Sequence, residues 1–462
     1  MSLLRNTWWS PLCFLLVLPD LPLELKAVQT RSLAYESGGE TMEGFVAAPA
    51  LAEGEFRPGI LLVHDWTGLQ DDARQRATQI ADTLGYVCLA ADIYGQGIRP
   101  SNTSECGVQA GIYRNDRALF RQRLNDALTA LRGVAGCQPD QIAAIGYCLG
   151  GTGVIELARS GADVLGVVSF HGGLDSPTPE DGKHIRSKIL VLHGADDPFV
   201  SRDDIDAFVG EMKQWGVDWQ MIAYGGAVHS FTKETAGTDN SSGAAYNADA
   251  DRRSWRHMTQ FFHELFPYGQ RGWSSLFDGK TLTGWGQKNG TASYTVEEGV
   301  ILGTTSEGSP NSFLCTTRDY RDFELLFEVK VDDALNSGVQ VRSRSLETFK
   351  KGRVHGPQIE IATNGNAGWV YGEALGTGWL SRDRSDARAR AAFQTGEWNR
   401  FRVKAQGSRI KTWINDLQVA DLEEDVSEFK EGFVALQVHG IKPGKGPYQV
   451  RWRHLYLRRL DP

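Results

Sequence analysis

The stretch Ile142-Ala-Ala-Ile-Gly-Tyr-Cys-Leu-Gly-Gly151 decides the fold of the first half of this chain. Its apolar residues predict a buried strand, and the small residues after them predict a sharp turn into a helix. Glycines suit this turn because its backbone is strained and crowded. Cys148 stands at the apex, the place of a nucleophile in such turns, where a serine is more usual. A buried, unreactive thiol is the alternative interpretation.

Strands and helices alternate around that turn, from about residue 40 to residue 266. Gly59-Ile-Leu-Leu-Val63 is a continuous apolar run, as in a strand buried on both faces. Such alternation predicts a mainly parallel sheet covered by helices on both sides. We predict further strands at 86–91, 141–146, 164–170, 188–193 and 218–223, and helices at 71–84, 112–133, 149–159, 203–215 and 245–266.

The pattern changes after Pro267, where helical periodicity becomes rare. Residues 272–462 contain many short alternating segments separated by Gly, Asn and Asp, which predicts an antiparallel sandwich or jelly roll. The chain of 462 residues exceeds a single usual core, so we expect two domains, at 30–268 and 272–462. The connection between them is short, which predicts that they pack against each other.

Composition excludes some classes of function. The net charge of -8 gives no support for binding to nucleic acid or to an anionic membrane. No His, Cys and Asp cluster has the spacing of metal ligands, so we expect neither a metal nor another cofactor. The 13 Trp and 52 Gly are typical of a turn-rich protein with aromatic-lined sites, which suits carbohydrate ligands.

The N-terminus is similar to a secretory signal peptide. Arg5, a short apolar stretch at 11–18 and the small residue Ala27 fit such a segment at 1–27, and predict an exported, periplasmic or extracellular protein. Asp20 and Glu24 suit a cleavage region poorly, and a membrane-tethering segment is the alternative. The apolar run is shorter than the roughly 20 residues of a spanning helix, and no later stretch approaches that length.

The cysteines leave one alternative open. Export would permit a disulfide between Cys106 and Cys137, which flank a helical stretch in expected loops. Cys88 and Cys315 lie in apolar strands, where buried free thiols are common.

A nucleophilic thiol needs a base, and the base needs an orienting acid. After Cys148 the chain supplies His193-Gly-Ala-Asp-Asp-Pro-Phe-Val200 at a strand end and Gly225-Gly-Ala-Val-His-Ser-Phe231 after the last strand. Both loops leave the carboxyl edge of the predicted sheet, where ligands bind. This order predicts Asp197 as the acid and His229 as the base.

Neighbouring residues offer alternatives at this edge. Asp196 could be the acid, with Asp197 capping the following helix. His64 and His171 also end strands there, and either could line the site.

The motifs at 146–151, 194–200 and 229–231 together resemble the dienelactone hydrolase family, and Asp92-Ile-Tyr-Gly95 also fits. The resemblance covers about residues 40–266. It implies an α/β-hydrolase fold with a doubly wound, mainly parallel sheet. It also implies a triad of Cys148, Asp197 and His229 that hydrolyses carboxylic esters or lactones.

The resemblance implies further roles. Asp65 takes a position usually held by Glu, whose carboxylate helps to deprotonate the thiol once substrate is bound. The backbone N–H groups of Leu149 and Trp66 would form the oxyanion hole. Trp66 and Tyr94 are candidate pocket walls, although either aromatic could equally belong to the core.

The chain departs from the family in its basic residues. Members that act on dienelactones hold the substrate carboxylate with arginines after the Asp-x-Tyr motif and just beyond the catalytic His. This chain has Gln96 and Lys233 near those places. We therefore expect a neutral or bulkier ester.

Leu276-Phe-Asp-Gly-Lys-Thr-Leu-Thr-Gly-Trp285, with the segments 336–342, 356–361 and 396–399, resembles the 3-keto-disaccharide hydrolase domain family over about residues 272–459. The resemblance implies a concanavalin-like jelly roll that handles sugar-derived material.

Polar residues at alternate positions on neighbouring strands could hold sugar hydroxyls in this second domain. Candidate substrate-binding residues are Arg342, Gln358 and Glu360, with Glu373 as an acid and Trp379 as a stacking platform. Acid–base chemistry on a glycoside would need two carboxylates on one face. The alternative is that these are polar residues on a solvated sheet face and tryptophans of the sandwich core.

These observations predict an exported two-domain hydrolase that acts on a small-molecule ester or lactone, or on an acylated saccharide. One alternative makes the second domain the main catalyst, cleaving 3-keto-glycosides. Another makes that domain a carbohydrate-binding module only.

Overall fold

The computed structural model describes residues 28–52, 54–269, 272–423 and 429–460. The expected signal segment at 1–27 lies outside the described residues. Within those ranges, no helix has the length and apolar character needed to cross a membrane.

The first domain is built on an eight-stranded sheet in the order β1-β2-β4-β3-β5-β6-β7-β8. The six strands β4, β3, β5, β6, β7 and β8 run parallel to one another. The β1–β2 hairpin extends this sheet, because β2 pairs with β4 in antiparallel orientation. This arrangement is the α/β-hydrolase fold that the sequence predicted. The strands are β1 Gln29–Ser37, β2 Glu40–Ala48, β3 Arg57–Val63, β4 Val87–Ala91, β5 Cys137–Tyr147, β6 Gly166–Phe170, β7 Lys188–Gly194 and β8 Trp219–Tyr224.

Helices cover both faces of this sheet, and each face has its own apolar core. Residues of α1 and α6 pack on one face, and residues of α3, α4 and α5 pack on the other. The helices are α1 Asp71–Leu84, α2 Thr103–Asn115, α3 Arg117–Arg132, α4 Leu149–Arg159, α5 Arg202–Gln214 and α6 Ala248–Leu265.

One predicted helix is two helices in the structure. The helix expected at 112–133 is divided at Asp116 into α2 and α3. The Asp116 side chain accepts a hydrogen bond from the Leu119 N–H at 2.9 Å, so it caps the start of α3. The β1–β2 hairpin was not predicted, because its outer strand β1 is largely exposed and carries few apolar residues.

The second domain is an all-β jelly-roll sandwich. Its two sheets have the strand orders β10-β13-β22-β15-β16-β17-β18 and β11-β12-β23-β14-β19-β20-β21, and one large apolar core lies between them. The strands are β9 Trp273–Ser275, β10 Trp285–Lys288, β11 Ser293–Glu297, β12 Val300–Thr304, β13 Ser312–Thr316, β14 Phe323–Val331, β15 Ser337–Ser345, β16 Val354–Ile361, β17 Val370–Glu373, β18 Gly378–Trp379, β19 Asn399–Gln406, β20 Arg409–Ile414, β21 Leu417–Glu423, β22 Phe433–Val438 and β23 Gln449–Arg459; a short helix α7 spans Ala387–Arg390.

A seam of hydrogen bonds joins the two domains. Strand β9 pairs with β23 of the sandwich, and Ser275 at its end exchanges both backbone hydrogen bonds with Phe56 of the first domain, at 2.9 and 3.0 Å. Beside this bridge, Arg318 Nη1 lies 2.6 Å from Glu55 Oε1. The short connection therefore continues into direct contacts between the domains.

The disulfide considered from the sequence is not formed. Cys106 and Cys137 are both free and buried. Cys137 instead packs beneath Gly59, where a Cβ would lie 2.6 Å from its sulfur, and burial raises the pKa of this thiol to about 12.

Candidate active site

The turn between β5 and α4 places Cys148 at the carboxyl edge of the sheet. Cys148 has a φ of 53°, a conformation that costs free energy for a residue with a side chain. Only glycine fits around it: a Cβ at Gly146 would lie 2.0 Å from the Gly150 carbonyl oxygen, and one at Gly150 would lie 2.3 Å from the Val63 carbonyl oxygen. The glycines seen in the sequence are therefore required by close backbone contacts.

Cys148, His229 and Asp197 form one hydrogen-bonded chain. The sulfur of Cys148 lies 3.0 Å from His229 Nε2, and His229 Nδ1 lies 2.8 Å from Asp197 Oδ2. All three side chains are buried. The structure thus brings together the three residues that the motifs predicted as nucleophile, base and acid.

Asp196 is turned away from this chain. It is exposed, and its Oδ2 accepts a hydrogen bond from the Gly226 N–H at 3.1 Å. The helix that Asp197 was considered to cap is capped by Ser201 instead. Asp197 is therefore free to face His229, and its second oxygen accepts from the Phe199 N–H at 2.9 Å.

Electrostatics favour a protonated His229. Burial lowers its pKa, but the hydrogen bonds with Asp197 and Cys148 outweigh burial and raise the pKa to about 10. Imidazolium beside a cysteine sulfur, in a thiolate–imidazolium pair, is the reactive arrangement of cysteine hydrolases.

The loop that carries His229 is fixed by backbone hydrogen bonds. The His229 N–H donates to the Gly243 carbonyl, and the Ala245 N–H donates to the His229 carbonyl, both at 3.0 Å. The Phe199 ring meets the His229 ring edge-on at 5.4 Å and is 62% exposed, so it forms an apolar rim outside the base.

The proposed oxyanion donors lie at two backbone turns. Leu149 is the first residue of α4, and the first amides of a helix have no partner within the helix. Trp66 lies in the turn after β3, and its carbonyl accepts a hydrogen bond from the Tyr94 hydroxyl at 2.9 Å. Tyr94 is buried and packs edge-on against His64, so it supports this turn from behind rather than forming a pocket wall.

Asp65 faces Lys233 instead of the Cys148 sulfur. Its Oδ2 lies 2.7 Å from Lys233 Nζ, and its Oδ1 accepts from the N–H and the hydroxyl of Thr67. Burial raises the pKa of Asp65, but Lys233 and Thr67 outweigh it and hold the pKa below its usual range. Lys233 also lies 2.9 Å from Asp72 Oδ2, so two carboxylates share one ammonium group.

A polar cavity of about 530 Å³ borders the turn. Tyr147 and His171, which flank Cys148 in the fold, form part of its wall together with Asp65 and Lys233. The Tyr147 hydroxyl is buried without a hydrogen-bond partner among the described residues.

The remaining predicted residues of this edge contribute differently. His64 also borders the cavity; its Nδ1 lies 2.6 Å from the Asp65 carbonyl oxygen, and burial lowers its pKa. Gln96 is exposed.

The second domain carries a row of polar side chains on the sheet face that points away from its core. Gln340 lies opposite Gln358, Gln358 opposite Tyr371, and Tyr371 opposite Trp379. In the next row, Gly338 lies between Gln437 and Glu360.

These side chains form a buried hydrogen-bond network. Gln358 Oε1 accepts from Gln340 Nε2 at 2.6 Å and from Gln437 Nε2 at 2.8 Å. Gln358 Nε2 donates to Glu360 Oε2 at 2.9 Å, and Asn336 donates to Oε1 of the same carboxylate. Gln437 Oε1 is buried with no hydrogen-bond partner among the described residues.

A second carboxylate adjoins the network. Glu373 is buried, lies 3.1 Å from Arg353 Nη2, and is 3.5 Å from Gln437 Nε2. Burial, assisted by the charge of Glu373, outweighs the hydrogen bonds from Gln358 and Asn336 and raises the pKa of Glu360 to about 7. Glu360 therefore exchanges a proton near neutral pH.

Arg342 does not join this face, contrary to the prediction. A break in the strand register between Gln340 and Arg344 turns it, with a φ of 50°. Its guanidinium is fully buried, donates to the carbonyls of Arg321 and Gly407, and lies 2.7 Å from Asp322 Oδ1.

Trp379 is half-buried at the edge of the polar face. It meets Tyr371 edge-on at 5.2 Å and carries the Arg384 guanidinium 4.2 Å from its ring centre. Sequence reasoning missed Gln340 and Gln437. The alternation Phe433-Val-Ala-Leu-Gln-Val438 was the available signal, since it sets Gln437 on the face opposite Val434 and Leu436.

Comparisons with known proteins agree with this architecture. Residues 42–266 match the model of the dienelactone hydrolase family, and residues 272–458 match the 3-keto-alpha-glucoside-1,2-lyase-like domain. A solved structure named m3DLH is 38% identical, has a TM-score of 0.50, and is matched over 52% of this chain and 99% of its own.

Two curated proteins are also similar. An uncharacterised protein from Caenorhabditis elegans is 36% identical over 152 residues, which are 32% of this chain and 94% of that protein. The 3-keto-disaccharide hydrolase of Bacteroides thetaiotaomicron is 23% identical, over 42% of this chain and 81% of that protein.

The fold and these matches define the protein as a hydrolase with an α/β-hydrolase domain and a jelly-roll domain. It belongs to the dienelactone hydrolase family and carries a 3-keto-disaccharide hydrolase-like domain after residue 272, as the motifs predicted.

Proposed function

We propose that the first domain, at 30–268, hydrolyses carboxylic esters or lactones through Cys148. The observation that carries this proposal is the chain of contacts from Cys148 through His229 to Asp197, at 3.0 and 2.8 Å. In this proposal Cys148 is the nucleophile, His229 the general base and acid, and Asp197 the residue that orients His229.

The reaction proceeds in two halves. The Cys148 thiolate attacks the carbonyl carbon, and the N–H groups of Leu149 and Trp66 bind the oxyanion that develops. His229 gives its proton to the leaving alkoxide, which leaves an acyl group on sulfur. His229 then takes a proton from water, and the resulting hydroxide attacks the thioester; the C–S bond breaks, the carboxylic acid is released, and the Cys148 thiolate is regenerated beside protonated His229.

The charges near the thiol favour a neutral substrate. Lys233 is neutralised by Asp65 and Asp72, so its ammonium offers little attraction to a substrate carboxylate. The substrate class is then a neutral small-molecule ester or lactone, or an acylated saccharide. The part of Asp65 in activating the thiol stays a prediction.

Hydrolysis of p-nitrophenyl acetate by purified variants tests this proposal. Cys148→Ala should abolish turnover, and Cys106→Ala, which removes another buried thiol, should leave it largely unchanged. His229→Gln should slow release of the acyl group, so that intact-mass measurement detects an acetyl adduct on Cys148. Turnover that persists in folded Cys148→Ala would refute the proposed nucleophile.

The second domain, at 272–462, has a candidate function of its own. The paired carboxylates Glu360 and Glu373 lie on one sheet face, and Gln437 Oε1 lacks a partner among the described residues. Amide groups and carboxylates of this kind suit the hydroxyl groups of a sugar, with the rings of Tyr371 and Trp379 beside them. We infer that this face binds or cleaves 3-keto-glycosides.

Glu360→Gln separates cleavage from binding. Calorimetric titration with a 3-keto-disaccharide measures binding, and product release measures cleavage; the exposed Glu347→Gln is the matched control. Cleavage lost only in Glu360→Gln indicates a second catalytic site. Binding without cleavage in every protein indicates a binding module, and no binding in the wild type refutes a sugar site on this face.

Export is a further proposal, from the signal-like residues 1–27. N-terminal sequencing of the protein from fractionated cells tests it. A cleaved N-terminus in the exported fraction supports export, and an intact N-terminus in the cytoplasm refutes it.

A further inference from the structure

His171 lies directly after β6 and touches both halves of the candidate catalytic site. It is 2% exposed and has a φ of 39°, which is costly for a residue with a side chain. The triad leaves it without a role, although it stands between the turn that carries Cys148 and the loop that carries His229.

Both nitrogens of the His171 ring have partners. The backbone N–H of Cys148, which also donates to the Phe170 carbonyl, lies 3.2 Å from Nδ1. Nε2 lies 2.8 Å from the hydroxyl oxygen of Thr232. A backbone N–H can only donate, so Nδ1 is the acceptor, Nε2 carries the hydrogen, and Nε2–H donates to Thr232.

The same ring contacts the proposed base. It meets the His229 ring edge-on at 5.2 Å and the Phe231 ring edge-on at 5.1 Å. Burial is the main cause that holds the pKa of His171 well below its usual range, and the neighbouring charge of His229 lowers it further. The ring is therefore neutral, which preserves the acceptor at Nδ1 and avoids repulsion of a protonated His229.

We propose that His171 is a positioning residue that sets the distance between the Cys148 sulfur and the His229 ring. Its Nδ1 holds the backbone of the nucleophile turn, its Nε2–H holds Thr232 of the base loop, and its ring edge supports His229. A neutral imidazole provides an acceptor and a donor on opposite sides of one rigid ring. This inference rests on the proposed function of Cys148.

Three substitutions separate the two links. His171→Phe fills the space and removes both hydrogen bonds. His171→Asn can keep an acceptor near the Nδ1 position, and Thr232→Val removes only the partner of Nε2. His257→Phe is the matched control, because His257 lies on α6 and contacts Tyr224 instead.

The experiment measures the rate of Cys148 alkylation by iodoacetamide from about pH 5 to pH 10. This rate depends directly on how the His229 imidazole is placed beside the Cys148 sulfur. His171→Phe should slow alkylation at neutral pH by about 10- to 100-fold, since small misplacements of reacting groups have effects of this size. It should also shift the pH profile of alkylation upward. His171→Asn should recover much of the rate, and Thr232→Val should show a smaller loss than His171→Phe.

The outcomes distinguish this inference from the proposed function. If Cys148→Ala loses turnover but folded His171→Phe has the alkylation profile of the wild type, the role of His171 is overturned and the proposed function of Cys148 stands. Turnover that survives in Cys148→Ala overturns the proposed function. If His171→Phe does not fold, the His171→Asn and Thr232→Val profiles decide, and two profiles equal to that of the wild type overturn the inference.

Discussion

Asp197 Oδ2 lies 2.8 Å from His229 Nδ1, whereas the adjacent carboxylate of Asp196 is turned to the Gly226 amide. Asp197→Asn keeps the shape but replaces an ionic acceptor by an amide. We expect kcat/KM for p-nitrophenyl acetate to fall by about 10²- to 10⁴-fold, the usual range for loss of such a partner. Asp196→Asn is the matched control and should retain turnover; equal losses in both variants would contradict the assignment.

The glycines of the nucleophile turn should tolerate no side chain. A Cβ at Gly150 would lie 2.3 Å from the Val63 carbonyl oxygen, so Gly150→Ala must displace the backbone beside Cys148. We expect loss of turnover and a lower melting temperature. Gly107→Ala, in α2 with open space around its Cβ, should instead stabilise the fold by about 0.5–1 kcal/mol. Similar melting temperatures for the two variants would contradict this account.

Arg159 links α4 to its surroundings through a buried ionic cluster. It is 1% exposed, lies 2.8 Å from Glu156 Oε1, and lies 2.6 Å from Glu211 Oε2. Arg159→Ala would leave the buried Glu211 carboxylate without its arginine and Glu156 with Arg121 alone, at a cost of about 3–5 kcal/mol in the free energy of unfolding. Urea titration measures this cost. Arg202→Ala breaks an exposed pair with Asp206 and should cost less than about 1 kcal/mol.

Glu360 should make stability depend on pH. Burial raises its pKa from 4.5 to about 7, so between those values the folded protein keeps a proton that the unfolded chain releases. Stability therefore falls as pH rises through this range. Glu360→Gln cannot ionise, and wild type should lose on the order of 3 kcal/mol more than the variant between about pH 4 and pH 8. Denaturant titrations that run parallel would rule out a buried, titrating Glu360.

Continuous apolar runs in the sequence correctly predicted the buried strands of the parallel sheet. The apolar runs at 59–63 and 188–193 became β3 and β7 with small changes at their ends, because strands buried on both faces need apolar residues throughout. The division at Asp116 was missed because an apolar periodicity continues on both sides of it, and only the cap reveals the break.

Chain order placed Cys148, Asp197 and His229 at one sheet edge, since the carboxyl ends of parallel strands meet there. Contacts between distant segments could not be predicted in this way. The bond from His171 to Thr232 joins residues 61 positions apart, and the register break that turns Arg342 away depends on the partner strand.

The hydrogen-bonded seam at Phe56 and Ser275 determines where the jelly roll lies relative to the thiol. With a flexible tether, the effective concentration of one domain around the other depends on tether length. Here paired backbone bonds and the Glu55–Arg318 ion pair fix the two bodies side by side. Phe56 precedes β3, and Gln138 near the start of β5 contacts Tyr456 of the sandwich, so the jelly roll is held at the amino ends of these strands, whereas Cys148 lies at the opposite, carboxyl edge of the sheet.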